Sequence, residues 1–316
     1  MHNNNRKMIA ISMVAIVFIA LFLSYDLGYW PYTLPRRIEK VSAMVLTGGA
    51  IAFSTVIFQT ITNNRILTPS ILGLDSLYLF LQTVIIYLFG STNLLITSKP
   101  VNFVLCVLLM IGFSIILYHF MFKRASKNVF FILLVGIIFG TLFKSMSSFI
   151  EMLIDPNEFQ IVQDKSFASF NNVNTDLLYI AAVIFIGLGV YVWRFTSIFD
   201  VLSLGKEQAI NLGIDYDKLV RKMLIVIAIL ISVATALVGP ITFLGLLAVN
   251  LARELFKTYR HTYLLLGSFL LSITALVGGE FIVEKIFTFN TTLSVIIDFV
   301  GGVYFIYLLL KENKSW

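Results

Sequence analysis

The stretch GPITFLGLLAVNLAR, residues 239–253, decides how the chain is read. It begins with Gly239-Pro240, continues almost wholly apolar, and stops at Asn250 and Arg253. It closes a longer apolar run from Met223 to Ala252. As one α-helix that run of about 30 residues would be ~45 Å long, against a hydrocarbon core of ~30 Å. A single span is too long, and two spans fit if the chain turns at Gly239-Pro240. Proline lacks the N–H that a helix interior needs, yet it suits the first turn of a new helix. The run is therefore expected to be a hairpin of two membrane helices, the second starting at Pro240.

Composition agrees. Of 316 residues 59% are hydrophobic and 13% charged, and the mean hydropathy is +0.93. A soluble domain of this length would need far more polar surface. The expected fold class is an all-α polytopic membrane protein forming one domain over residues 1–316. Met8–Leu23 follows Arg6-Lys7 and no small-residue cleavage site follows it, so it reads as a retained first span. Further spans are expected near 41–61, 71–90, 101–122, 129–152, 176–195, 221–238, 240–254, 263–283 and 293–310, about ten in all. With both termini in the cytoplasm, the inner segments carry sixteen Lys/Arg and the outer ones six, and Lys144 is left inside a span. That is the positive-inside bias. It puts the Gly239-Pro240 corner outside and Arg253 inside. The formal net charge of +6 thus reflects topology, not a nucleic-acid partner.

The single cysteine, Cys106, excludes an intrachain disulfide, and His2, His119 and His261 are far apart. No local Cys/His metal motif exists, and no metal site or cofactor is expected on this chain. Two connections are long. The outer one runs from Glu151 to Asp176. The inner one, about 196–222, reads FDVLSLGKEQAINLGIDYDKLVRK in its body. There Gly205 and Gly213 bracket a two-turn helix over Lys206–Leu212. Ala209 and Leu212 are expected on one side, Lys206, Glu207 and Asn211 are polar, and Gly213 is a C′ stop. So short a helix needs something to pack on. It either lies along the membrane surface or docks a cytoplasmic partner. No G-x-x-x-x-G-K-[ST] occurs, so any nucleotide that powers the protein binds another chain.

Several motifs resemble the FecCD-type permeases, the membrane subunits of ABC importers for iron–siderophore, haem and cobalamin. Leu204-Gly205, Ala209 and Leu212-Gly213 have the spacing of that family's cytoplasmic coupling loop. The opening stretch is similar to the family's G-P-I-G-F-V-G-L-I-V-P-H-I-A-R through Gly239, Pro240, Ile241, Phe243, Gly245, Leu246, Ala252 and Arg253. TLPRR at 33–37 resembles R-L-P-R. QTITNNRILTPSILG at 59–73 resembles Q-x-x-x-x-N-P-L-A-x-P-x-x-L-G through Gln59, Asn64, Pro69, Leu72 and Gly73. GGVYFIYLLLK at 301–311 resembles the closing G-A-P-F-F-x-Y-L-L. The departures are Val249-Asn250 for Pro-His, Asn64-Arg65 for Asn-Pro, Thr33 for the first Arg of R-L-P-R, and NTTLS at 290–294 for E-L-P-V-G. The overall pattern resembles the iron–siderophore permeases of Gram-positive bacteria, and among them the petrobactin-like group.

The resemblance implies a type II ABC importer permease fold in the bacterial cell membrane. The chain itself would do no covalent chemistry and would be no enzyme. Its partners would be a second permease, identical or paralogous, and two cytoplasmic ATPase subunits that use ATP. An extracellular substrate-binding protein, a lipoprotein in a Gram-positive host, would deliver a ferric siderophore, and transport would proceed by alternating access. Leu204, Gly205, Lys206, Glu207, Ala209, Leu212 and Gly213 would couple to the ATPase. Arg36 would receive a carboxylate of the binding protein, with Arg37 and Lys285 as further basic candidates. Their other reading is interfacial anchoring of the helices.

Lys144 lies deep in a span, where a charge costs at least ~2.5 kcal/mol unless it faces protein or water. It is therefore expected to face the bundle interior, with Ser148 one turn on. Lys144 and Ser148 are candidates for lining a cavity. Glu280, Asp298 and Asp75 are candidates for helix–helix hydrogen bonding or the same lining. The alternatives are an ion-coupled secondary transporter, using Lys144, Glu280 and Asp298 as intramembrane charges, or an ABC permease for haem or cobalamin.

Overall fold

The computed structural model describes residues 2–25, 29–124, 129–171, 173–287 and 291–312. In chain order the α-helices are α1 (His2–Ser24), α2 (Trp30–Thr62), α3 (Leu74–Phe89), α4 (Leu94–Thr97), α5 (Lys99–Arg124), α6 (Val129–Glu151) and α7 (Pro156–Ser166). They continue with α8 (Thr175–Trp193), α9 (Thr196–Leu202), α10 (Lys206–Asn211), α11 (Tyr216–Val238), α12 (Leu244–Phe256), α13 (His261–Lys285) and α14 (Leu293–Glu312). Among the described residues there is no strand. A helix stands at each of the ten expected spans. Seven of them, α1, α2, α5, α6, α8, α11 and α13, are long and apolar enough to cross a membrane, and α3, α12 and the apolar part of α14 are shorter.

α2 from Lys40 onward and α11 from Met223 onward form the centre and are mostly buried, as apolar helix segments without a polar face should be. α13 packs along α2. The outer faces of α1, α5, α6, α8 and α14 expose apolar side chains such as Ile16, Leu108, Ile138, Val183 and Phe299. Lipid is as apolar as those faces, so burial gives no drive for helix association and close approach through small residues takes over. Gly245 of α12 meets Thr55 and Ile51 of α2 with no room for a side chain.

The span expected at 71–90 is a helix only from Leu74. α2 ends at Asn63 in the left-handed conformation (φ 48°), and Asn64 donates its N–H to Gln59 O at 3.1 Å. The chain then re-enters the body through a 3-10 turn at Pro69–Leu72. Gly73 (φ +78°) sits on the backbone of α6, where an added Cβ would lie 2.8 Å from Gly140 Cα. Gly136 and Gly140 are near the middle of α6, so α3 begins part-way across the membrane, which is why it needs only 16 residues. Non-helical backbone is tolerated at that depth where protein covers it, and Pro69, Leu72 and Gly73 are buried.

The 239–253 hairpin turns where expected, but its second helix starts at Leu244 and not at Pro240. Gly239 (φ +101°) ends α11. Its Cβ-free side lies against residues 167–168 of the outer connection, and Ser169 donates its N–H to Val238 O at 2.8 Å. That outer strap holds residues 239–243 as a buried turn, and the Phe243 N–H at the head of α12 is received by Asp298 of α14 at 3.3 Å.

Candidate functional site

The cytoplasmic segment carries two short helices. α10 ends in a Schellman turn: Gly213 (φ +84°) donates to Ile210 O at 2.9 Å and Ile214 donates to Ala209 O at 3.0 Å. The Gly213 stop is therefore as expected. The side-by-side placement of Ala209 and Leu212 is not. Ala209 is fully buried, whereas Leu212, the C-cap residue whose N–H still bonds Gln208 O at 3.0 Å, is 64% exposed. Leu204 (61%), Ile210 (49%) and Leu212 are thus exposed apolar side chains on this segment, with Lys206, Glu207 and Gln208 also exposed. The Lys206 ammonium stands 5.1 Å from the centre of the Tyr216 ring, and Tyr216 donates its hydroxyl to Ile61 O at 2.8 Å. The loop is thereby fastened to the end of α2.

The separate motifs meet at this end. Gln59 donates to Arg65 O at 2.6 Å and accepts from Arg253 Nε at 3.3 Å. Asn250 donates to Arg65 O at 3.0 Å and to Leu246 O. Asn250, which stands where the resembled motif has His, therefore still ties the 239–253 hairpin to the 59–73 turn. Sequence reading missed the contact beside it: Asp200 of α9 binds His261, whose ring also meets Thr60. An aspartate and a histidine 61 positions apart carry no local pattern.

On the outer side, Arg36 is exposed, its guanidinium 4.4 Å from the centre of the Tyr32 ring. Arg37 is half-buried and donates to Phe22 O at 2.8 Å, in the last turn of α1, and to Tyr25 O at 2.7 Å, just past its end. Of its two readings, Arg37 has the anchoring contacts, as a cationic C-terminal cap. Lys285 is half-buried, 5.4 Å from the Tyr25 ring. Lys40, counted with the outer loop, is instead buried in α2 and bridges Glu280 at 2.6 Å and Glu284 of α13. Asp75 accepts from Thr235 at 3.3 Å.

Lys144 corrects an expectation. It and Ser148 are exposed on the face of α6 turned away from the bundle. The inward face is already filled by Phe139 and Phe143, which pack on Phe113 and Phe80, and by the Gly136–Gly140 seat for residue 73. Among the described residues, no group of three or more His, Cys, Asp or Glu forms a metal-holding cluster.

A body of many apolar helices with a structured segment between two of them is a multi-pass membrane protein. The FecCD transport family model matches residues 8–311, and the chain belongs to that family, as a transport subunit of an ABC importer and not an enzyme. It is 71% identical over 313 residues to the petrobactin import system permease protein YclO of Bacillus subtilis, covering 99% of both chains. It is 33% identical to the petrobactin import system permease protein FatC of Bacillus anthracis, over 96% of this chain and 89% of that one. In fold it resembles an inward-facing ABC transporter structure described as of metal-chelate type, with a TM-score of 0.85 at 20% identity over 98% and 99% of the two chains.

Proposed function

We propose that this permease carries a ferric siderophore of the petrobactin kind across the cell membrane. The observation that carries this reading is the 71% identity, over essentially the full length, to a petrobactin import permease. The geometry supports the parts played along the path. Leu204, Ile210 and Leu212 are exposed apolar side chains on and around a short, capped helix, suited to docking on a cytoplasmic ATPase. Arg36 presents an exposed guanidinium fork for a carboxylate of the binding protein. Lys144 and Ser148 make a polar strip at membrane depth on the outside of the single chain. A lysine facing lipid there would cost at least ~2.5 kcal/mol, so that face is best read as turned toward a second permease and a path between the two. A positive charge in that path favours an anionic chelate.

The test is radioiron uptake by cells with and without this subunit, supplied as a panel of iron chelates. Petrobactin-type chelates should lose uptake when the subunit is deleted, while haem and cobalamin uptake should be unchanged. Loss of a different chelate alone would reject the substrate assignment.

A further inference from the structure

We propose that His261 is a positioning residue, the joint that fastens the cytoplasmic coupling segment to a rigid α2–α13 pair. The inference rests on reading residues 196–222 as the ATPase-docking segment. One carboxylate oxygen of Asp200, in α9, accepts both the His261 backbone N–H at 2.6 Å and the ring Nδ1–H at 2.8 Å. The N-cap residue of α13, Arg260, supplies no side-chain cap of its own. The first free N–H of α13 is thus capped from another element, where a carboxylate is also favoured by the helix dipole. The ring's other nitrogen, Nε2, lies 2.9 Å from Thr60 Oγ1 in α2. With Nδ1 donating, Nε2 of a neutral ring accepts the Thr60 hydrogen, which otherwise goes to Val56 O at 2.7 Å. Phe199 of α9 stands at 5.8 Å, and only 1% of His261 is exposed. One buried imidazole therefore joins α9, α13 and α2.

The two long helices are fixed to each other elsewhere too. Near their outer ends Lys40 of α2 holds Glu280 and Glu284 of α13. Between, Gly48 seats Ser272 and Leu276, and Gly49 seats Phe269. Apolar contacts alone let helices slide, whereas directional hydrogen bonds at two levels hold the register. At ~1.5 Å per residue, the 33 residues of α2 span ~50 Å and end at the outer rim that carries Arg36. A displacement of α9 thus reaches α2 and α13 together through His261, beside the separate Tyr216–Ile61 tie, and α2 carries it to the rim where a binding protein would sit.

The decisive variant is Thr60→Val, which keeps shape and leaves the Asp200–His261 cap in place. The complete transporter, with both permeases, both ATPases and the binding protein, is reconstituted in liposomes. We expect Thr60→Val to retain the ATPases but to lose about fivefold to tenfold in chelate-driven stimulation of ATP hydrolysis and in uptake, the scale of one hydrogen bond. Thr60→Ser, which keeps the hydroxyl, should restore both. Uptake at the wild-type rate in Thr60→Val, or equal loss in Thr60→Ser, would overturn the joint. Loss of protein or of bound ATPase would overturn it as well, since that marks a merely structural role. Leu212→Asp in the same assay separates the underlying reading. If it leaves the ATPases bound and uptake normal, the docking segment itself is wrong. If it releases them while Thr60→Val transports normally, only the joint fails.

Discussion

Removal of Lys40 is the sharpest perturbation of this fold. Its ammonium is buried between α2 and α13, 2.6 Å from Glu280 and in contact with Glu284. Lys40→Met keeps the stem's bulk but leaves the buried Glu280 and the half-buried Glu284 carboxylates with no countercharge. Breaking a buried pair from one side costs about 3–5 kcal/mol, because the stranded charge has lost its hydration and its partner together. Glu280→Gln is milder. Lys40 keeps Glu284, and the amide oxygen still accepts, so the loss should be nearer ~1.5 kcal/mol, the scale of one charge-assisted hydrogen bond. The triple variant Lys40→Met, Glu280→Gln, Glu284→Gln strands no charge and should return to within about 1–2 kcal/mol of wild type. The assay is unfolding of the purified permease in mixed micelles titrated with SDS, followed by circular dichroism. The expected order of stability is wild type, then the triple variant and Glu280→Gln close together, then Lys40→Met far below. If Lys40→Met were no worse than Glu280→Gln, or the triple variant as poor as Lys40→Met, the ion cluster would not be what holds the outer ends together.

The two neighbouring arginines should part company. Arg36→Glu is expected to weaken binding-protein affinity at least tenfold by putting like charges face to face, read by surface plasmon resonance. Arg37→Ala should leave that affinity unchanged while lowering thermal stability by about 1 kcal/mol through the lost cap on α1. Leu212→Asp should reduce the ATPase co-purified with the permease without changing permease level in the membrane, as measured by immunoblot. Gly140→Leu should prevent accumulation of folded protein on fluorescence-detected size-exclusion chromatography. Its Cβ would meet Gly73 Cα at 3.1 Å, and backbone at membrane depth cannot withdraw into water.

Span number, the Gly239-Pro240 corner and the short helix stopped at Gly213 were legible in residue order, because each depends on a local quantity. Apolar length against bilayer thickness sets the spans, proline chemistry sets the corner, and glycine's access to positive φ sets the stop at Gly213. The register at which a helix resumes after a turn was not legible. The start of α12 depends on Asp298 and on residues 167–169 covering the corner, and the start of α3 depends on two glycines of α6. Charges behaved in the same way. That Glu280 needed a partner at its depth could be read from hydropathy, but the burial of Lys40 and the pairing of the two across 240 positions could not. Lys144 could be recognised as needing a polar neighbour. Which side of α6 it occupies was settled by the phenylalanines and glycines that fill the other side. Local chain chemistry specifies which stretches are helical and where the chain turns between them. Only packing brings residues such as Asp200, His261 and Thr60 within hydrogen-bond reach, because such contacts depend on all the helices at once.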